Sequence, residues 1–189
     1  MMTLENFGHV SNKMLRDLIA YWLDKRCGRL FPARHDIDPI DIPWALPQIW
    51  MCDILPEDGR FRYRLAGEQI NAYWGYNIGG KYQDEIVPEQ HLTLESDKYL
   101  SVSDGPSVVH DIGRVFLTEE LVATGERIIL PLSQNGQKVD TLLGATCRDW
   151  FCDRENEPLA KSSQTMTVTP LGQGSQARAT QKLTLNCSP

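Results

Sequence analysis

The stretch DGRFRYRLAGEQINAYWG, Asp58 to Gly75, admits two readings. Arg60, Arg62 and Arg64 alternate with Phe61, Tyr63 and Leu65. A basic, aromatic surface made to grip nucleic acid has this pattern, and so does a strand with one dry and one wet face. The strand period of two puts Phe61, Tyr63 and Leu65 on one face and the arginines on the other. The chain as a whole carries a net charge of −6. It therefore has no general attraction for phosphate backbones, which argues against nucleic acid as a partner. Immediately upstream, the apolar run IWMCDIL (Ile49–Leu55) is followed by the turn sequence PEDGR. Together they predict a β-hairpin of strands 49–55 and 60–66.

Working outward toward the N-terminus, SNKMLRDLIAYWLDKRCG (Ser11–Gly28) is an amphipathic helix. Leu15, Leu18, Ile19, Trp22 and Leu23 recur at i, i+3, i+4, i+7 and i+8. Ser11 or Asn12 can cap its start, Lys25 and Arg26 suit its C-terminal end, and Gly28 can stop it. The stripe packs on its own domain, with Leu18 and Trp22 as candidate dimer contacts. Between this helix and the hairpin, Pro32, Pro39, Pro43 and Pro47 forbid a long regular element. Asp38 before Pro39 predicts a short helix over 39–45.

On the C-terminal side, GEQINAYWG predicts a short helix over 67–74 ended by Gly75, and PEQHLTLESDKYLSVSDG a longer one over 88–103. Three β-branched-rich strands follow, at 106–117, 126–132 and 139–150, the last two joined by the hairpin signal Asn135-Gly136. From Asp153 the chain is polar and without aromatics. The division is a flexible start, 1–11, a domain over 12–152 that includes the helix 12–27, and a disordered tail, 153–189. A hairpin, a helical crossover and a meander make an α+β fold, an antiparallel sheet flanked by helices.

With 189 residues the chain can bury a core without disulfide staples. Its five cysteines are odd in number and show no C-x-x-C pairing, so neither a disulfide framework nor a zinc ribbon is indicated. No signal peptide and no apolar run of about 20 residues is present, so membrane insertion is not expected and the setting is read as cytoplasmic. Cys147, Cys152, Asp149 and Asp153 match no metal-site spacing. Asp36, Asp38 and Asp41 lie among prolines that fix turns, where local Asx hydrogen bonds suit them better than convergence on a metal. No nucleophile-elbow, Walker or dinucleotide motif occurs, so no catalytic residue is assigned.

Three segments in this order carry a family resemblance. The first is YWLDKRCGRLFPARHDIDPIDIP (Tyr21–Pro43), with the skeleton Gly28-Arg29, Pro32, Arg34 and Asp38-Pro39. The second is LPQIWMCDILPEDGRFRYRLAGEQINAYWGYNIGGK (Leu46–Lys81), with its core FRYRLAG. The third is IILPLSQNGQKVDTLLGA (Ile128–Ala145). Over about Leu15 to Trp150 they resemble a PAS domain, of the kind found as short single-domain proteins in alphaproteobacteria. The resemblance implies a five-stranded antiparallel sheet flanked by helices, with a ligand cavity between sheet and helices. It implies a sensory, regulatory role in signal transduction, exercised through ligand binding or protein–protein interaction, in a bacterial cytoplasm.

That resemblance brings no catalytic or cofactor residue with it. The segment GYNIGGKYQDEIV lacks the cysteine of flavin-binding photosensory PAS domains, which argues against a covalent flavin photocycle. Haem-binding PAS domains hold iron by a helical histidine, which makes His91 a haem candidate. Phe61, Tyr63, Trp74, Leu92, Tyr99 and His110 are the candidate pocket residues, although the sequence does not say whether His110 shares a face with Tyr63. Arg62, with Leu18 and Trp22, is a candidate contact for a homodimer mate or a regulatory partner. The alternative is an enzyme using the same cavity, which requires titratable groups converging there.

Overall fold

A computed structural model of the chain describes residues 2–55, 57, 59–117, 121–153, 163–172 and 179–184. The five expected strands are β1 (Ile49–Ile54), β2 (Phe61–Ala66), β3 (Ser107–Leu117), β4 (Leu121–Leu132) and β5 (Thr141–Asp153). They lie in one antiparallel sheet with two more, β6 (Ser163–Pro170) and β7 (Ala179–Thr184), in the order β2-β1-β5-β4-β3-β6-β7. The helices are α1 (Lys13–Lys25), α2 (Glu68–Trp74), α3 (Gln83–Ile86) and α4 (Glu89–Ser103).

Local chemistry accounts for the element ends. Asn12 caps α1, its side-chain oxygen accepting from the Leu15 amide. Cys27 and Gly28 both turn to positive φ just past the end of α1. Gly75 takes a left-handed φ of 75° to end α2. The hairpin between β4 and β5 turns at Gly136, also at positive φ.

Cross-strand partners point to the same face, so the register assigns each side chain to one side of the sheet. One face, here the inner, carries Trp50, Cys52, Phe61, Tyr63, Arg127, Ile129 and Asp111, and α4 lies over it. The outer face carries His110, Ile128, Leu130, Leu143 and Ala145. Leu15, Leu18, Ile19 and Trp22 of α1 are fully buried, and Trp22 donates from its indole nitrogen to the Pro131 carbonyl at 3.0 Å.

Four expectations need correction. The segment 39–45 is a run of separate turns (Ile42 amide to Pro39 carbonyl, Ala45 amide to Ile42 carbonyl), not a helix. Pro43 has no N–H to donate and biases Ile42 away from helical ψ. The start of the chain is not free: Phe7 and Val10 are buried, and residues 4–7 form a 3-10 turn. Leu65 does not join Phe61 and Tyr63. A bulge opposite Met51 and Cys52 leaves Arg64 without a cross-strand partner and turns Leu65 outward, 38% exposed.

The tail is the fourth. Thr165 to Pro170 pair with the first half of β3, residues 107–112, and Gln164 and Met166 are buried. SQTMTVTP is polar by composition, yet Met166 and Val168 alternate with threonines, whose β-branched side chains suit a strand. The rest of the expected disordered tail, 154–162, 173–178 and 185–189, lies outside the described residues.

Candidate functional site

The inner face beneath α4 gathers the chemistry. Phe61 and Tyr63 of β2, Trp50 of β1 and Tyr99 of α4 form one aromatic cluster. The Trp50 and Tyr99 rings stack with centroids 5.3 Å apart, while Phe61 and Tyr63 meet them edge-on. The hydroxyls of Tyr63 and Tyr99 share a hydrogen bond of 2.8 Å. Burial raises both phenols well above their usual range, so both are neutral hydrogen-bonding groups. Gly144 of β5 makes room for this cluster: a β-carbon there would sit 2.0 Å from the Trp50 indole.

Beside the rings is a buried charge network. Lys98 of α4 donates to Glu95 on its own helix and to Asp111 of β3 at 2.7 Å. Arg127 of β4 donates to the other Glu95 oxygen at 2.6 Å. Gln164 of β6 donates its amide to both oxygens of Asp111, at 2.9 and 3.0 Å. Two carboxylates thus meet two cations out of water, an arrangement stable only when every charge is matched. Burial alone would raise Glu95, but Lys98 and then Arg127 outweigh it and hold the acid below its ordinary range. Burial likewise opposes the Arg127 cation, and Glu95 with the neighbouring groups more than restores it.

Thr146 of β5 joins the two groups. Its hydroxyl accepts from the Trp50 indole at 3.1 Å and from Arg127 at 3.3 Å. Thr146 also lines a cleft of about 270 Å³ between the start of α1, the turn before β1, α2 and β5. A second groove, about 300 Å³ and largely apolar, lies on the outer face around Met51, Ile42 and Leu65.

Of the sequence-derived candidates, Phe61, Tyr63 and Tyr99 come together. Trp74 is half-buried and packs edge-on against Tyr73 instead. Leu92 is half-buried on α4. His110 is a correction: it opposes Ile128 on the outer face, away from Tyr63, and bonds Glu126 at 2.6 Å. That carboxylate also accepts from the Ser11 amide and hydroxyl and the Asn12 amide, which ties the N-terminal segment down. Burial would raise Glu126, yet these bonds, His110 first, hold it at about 2. The haem candidate, His91, sits half-buried in the first turn of α4.

Leu18 and Trp22, offered as contact residues, are fully buried in the core of their own chain. Arg62 and Arg64 meet Asp53 of β1, Arg64 at 2.9 Å and Arg62 at 3.8 Å. Arg60 forks onto Asp84 and lies 3.6 Å over the Tyr82 ring. The aspartates of the proline-rich loop are likewise used locally, Asp38 accepting from the Ile40 amide and Asp41 from Lys25.

Sequence reasoning missed Glu95, Lys98, Asp111, Arg127 and Gln164. A signal existed: Glu95, Lys98, Tyr99 and Val102 form the buried stripe of α4, and two of the four are charged. No helix among the described residues is long and apolar enough to cross a membrane. A family model described as a PAS domain matches residues 10–147, well over half of the chain. No curated protein and no solved structure matches.

Proposed function

The chain belongs to the PAS domain family, and from that premise we propose that it is a cytoplasmic sensory module that takes up a small ligand or a protein partner and reports the event by a change in association. PAS domains are typically sensory or regulatory rather than catalytic, and they commonly mediate dimerisation or partner contacts. The observation that supports the finer reading is the buried network. Glu95 and Lys98 of α4 are bonded to β4 through Arg127 and to β3 through Asp111, and Asp111 in turn to Gln164 of β6. A disturbance beside Phe61, Tyr63 or Tyr99 therefore reaches both the covering helix and the C-terminal strands through groups that tolerate no loose charge. The exposed surface of those elements is where a second copy or partner would read the change.

Native mass spectrometry and an absorption spectrum of the full chain purified from its own cells test this reading together. The expected result is a discrete dimer or complex, or a retained small molecule whose removal changes the association. A monomer that retains nothing and captures no partner would overturn it.

A further inference from the structure

We propose that the outer-face groove around Met51, Ile42 and Leu65 is a binding site for a small amphiphilic carboxylate, an alkyl chain carrying one anionic head. Arg34 carries the argument. Among the described residues it is the one charged side chain in the lining. Its backbone is fixed just past the end of β4, where Ala33 bridges to Ser133 and the Arg34 amide donates to the Ser133 carbonyl at 2.7 Å. Its guanidinium reaches the groove wall, with Nη1 3.9 Å from the sulfur of Met51. A guanidinium has five N–H donors, and a thioether is only a weak acceptor. Among the described residues the Arg34 side chain meets no carboxylate and no other acceptor. The arginines of β2 and of the turn before it are matched, Arg62 and Arg64 with Asp53 and Arg60 with Asp84. Arg34 is therefore a positioned cation on an apolar groove whose anion the chain does not supply.

The rest of the lining fits an alkyl chain. Ile42, Ile49 and Met51 are buried and form the base, and Leu65, turned outward by the bulge in β2, stands exposed at the rim. At Gly67 a β-carbon would meet the Leu46 carbonyl oxygen at 2.1 Å, so the missing side chain lets the turn before α2 close on the turn before β1 and bound the groove. The backbone amides of the lining are already used: those of Arg34, Ile42, Ile49 and Gly67 donate to the carbonyls of Ser133, Pro39, Ala45 and Ile49. An extended peptide laid there would bring amides and carbonyls with few groups to answer them, whereas an alkyl chain brings none. One cation calls for one negative charge, and the planar guanidinium matches a carboxylate with two parallel bonds. The volume of about 300 Å³ suits a small molecule.

The groove lies on the sheet face opposite the aromatic cluster, so the proposal stands or falls independently of the sensory reading. Titration of the full chain with octanoate, followed by calorimetry and by protein NMR, tests the site. The expected result is saturable one-to-one binding, with amide shift changes gathered around Arg34, Met51 and Leu65. The neutral 1-octanol should bind at least about tenfold more weakly, because the charge-assisted bonds are lost. Acetate, which has the head without the chain, should not saturate. Arg34→Gln should bring octanoate down to the level of octanol, a loss of about tenfold or more, and leave octanol itself unchanged. Leu65→Ser, at an exposed position, should weaken octanoate and octanol alike by about three- to tenfold. Gln69→Ala, in the separate cleft beside α1 and α2, should alter neither. No saturation by octanoate, equal binding of octanol by the wild-type chain, a preference for octanoate that survives Arg34→Gln, or shift changes centred away from the groove would each overturn the proposal.

Discussion

Lys98 of α4 donates to Asp111 of β3 at 2.7 Å with both side chains wholly out of water. Isolated, either charge would be intolerable at that depth; together with Glu95, Arg127 and Gln164 they form a matched set. Helix and sheet are thereby held by directional bonds in addition to the packing of Tyr99 and Val102.

Removing one member should cost far more than removing a pair. Lys98→Met leaves Glu95 and Asp111 facing each other with Arg127 as the remaining cation. We expect a loss of roughly 3–5 kcal/mol in urea unfolding. The double variant Lys98→Met/Asp111→Leu should recover part of that loss, because the unmatched carboxylate goes with its partner. Equal or additive losses would mean the pair is not coupled as the geometry requires.

Gly144 is the second sensitive point. Its missing side chain is what lets the Trp50 indole lie across β5 toward Tyr99. Gly144→Ala should therefore destabilise by roughly 1–3 kcal/mol, the usual range for overpacking. In a Trp50→Leu background, where the indole is gone, the same alanine should be nearly neutral. A penalty that persists in that background would show that the contact is not the cause.

How much of this was legible in the sequence follows from which interactions are local. α1, α2 and α4 were readable because periodicity and caps act within a few residues: Asn12, Gly75 and the apolar stripe each mark a boundary. The hairpin β1–β2 was readable from the arginine alternation, and its wet face does find acid from a neighbouring strand, in Asp53. The bulge that turns Leu65 out was not, because it depends on the register of β2 against β1. For the same reason the face of His110 stayed open until β3 was set against β4. The charge network escaped because its members lie on α4, β3, β4 and β6, far apart in the chain. β6 itself was hidden by composition: threonine and glutamine look like tail until an edge strand is there to receive them.

Acid should loosen the N-terminal segment first. Glu126 accepts from Ser11, Asn12 and His110, which holds its pKa at about 2 against the ordinary 4.5. A carboxylate with a lowered folded-state pKa stabilises the protein above its unfolded pKa and loses that contribution as pH falls toward the folded value. The window is therefore from about pH 4.5 down to about pH 2. Glu126→Gln should be less stable than wild type by roughly 1.5–3 kcal/mol at pH 6, as expected for hydrogen bonds to a charged group. The difference should shrink through that window, measured by denaturant unfolding at each pH. A gap that stays constant with pH would mean that Glu126 acts by shape and not by charge.

Deleting the chain from Ser163 onward tests whether the C-terminal strands are part of the domain. Composition suggests that the fold stands without them; the structure gives the opposite expectation. The deletion strips β3 of the partner that covers residues 107–112 and takes from Asp111 both hydrogen bonds of the Gln164 amide. A buried carboxylate short of two bonds, with Lys98 alone to answer it on that side, should lower stability by on the order of 2 kcal/mol or more. The bared edge of β3 should also drive concentration-dependent association, because an uncovered strand is a template for another chain. Urea unfolding and sedimentation of the shortened chain measure both effects. Gln164→Leu in the full chain separates them: it should reproduce the loss of stability while β6 still covers the edge and the protein keeps its native association. A shortened chain as stable and as well dispersed as the whole would place β6 outside the cooperative unit.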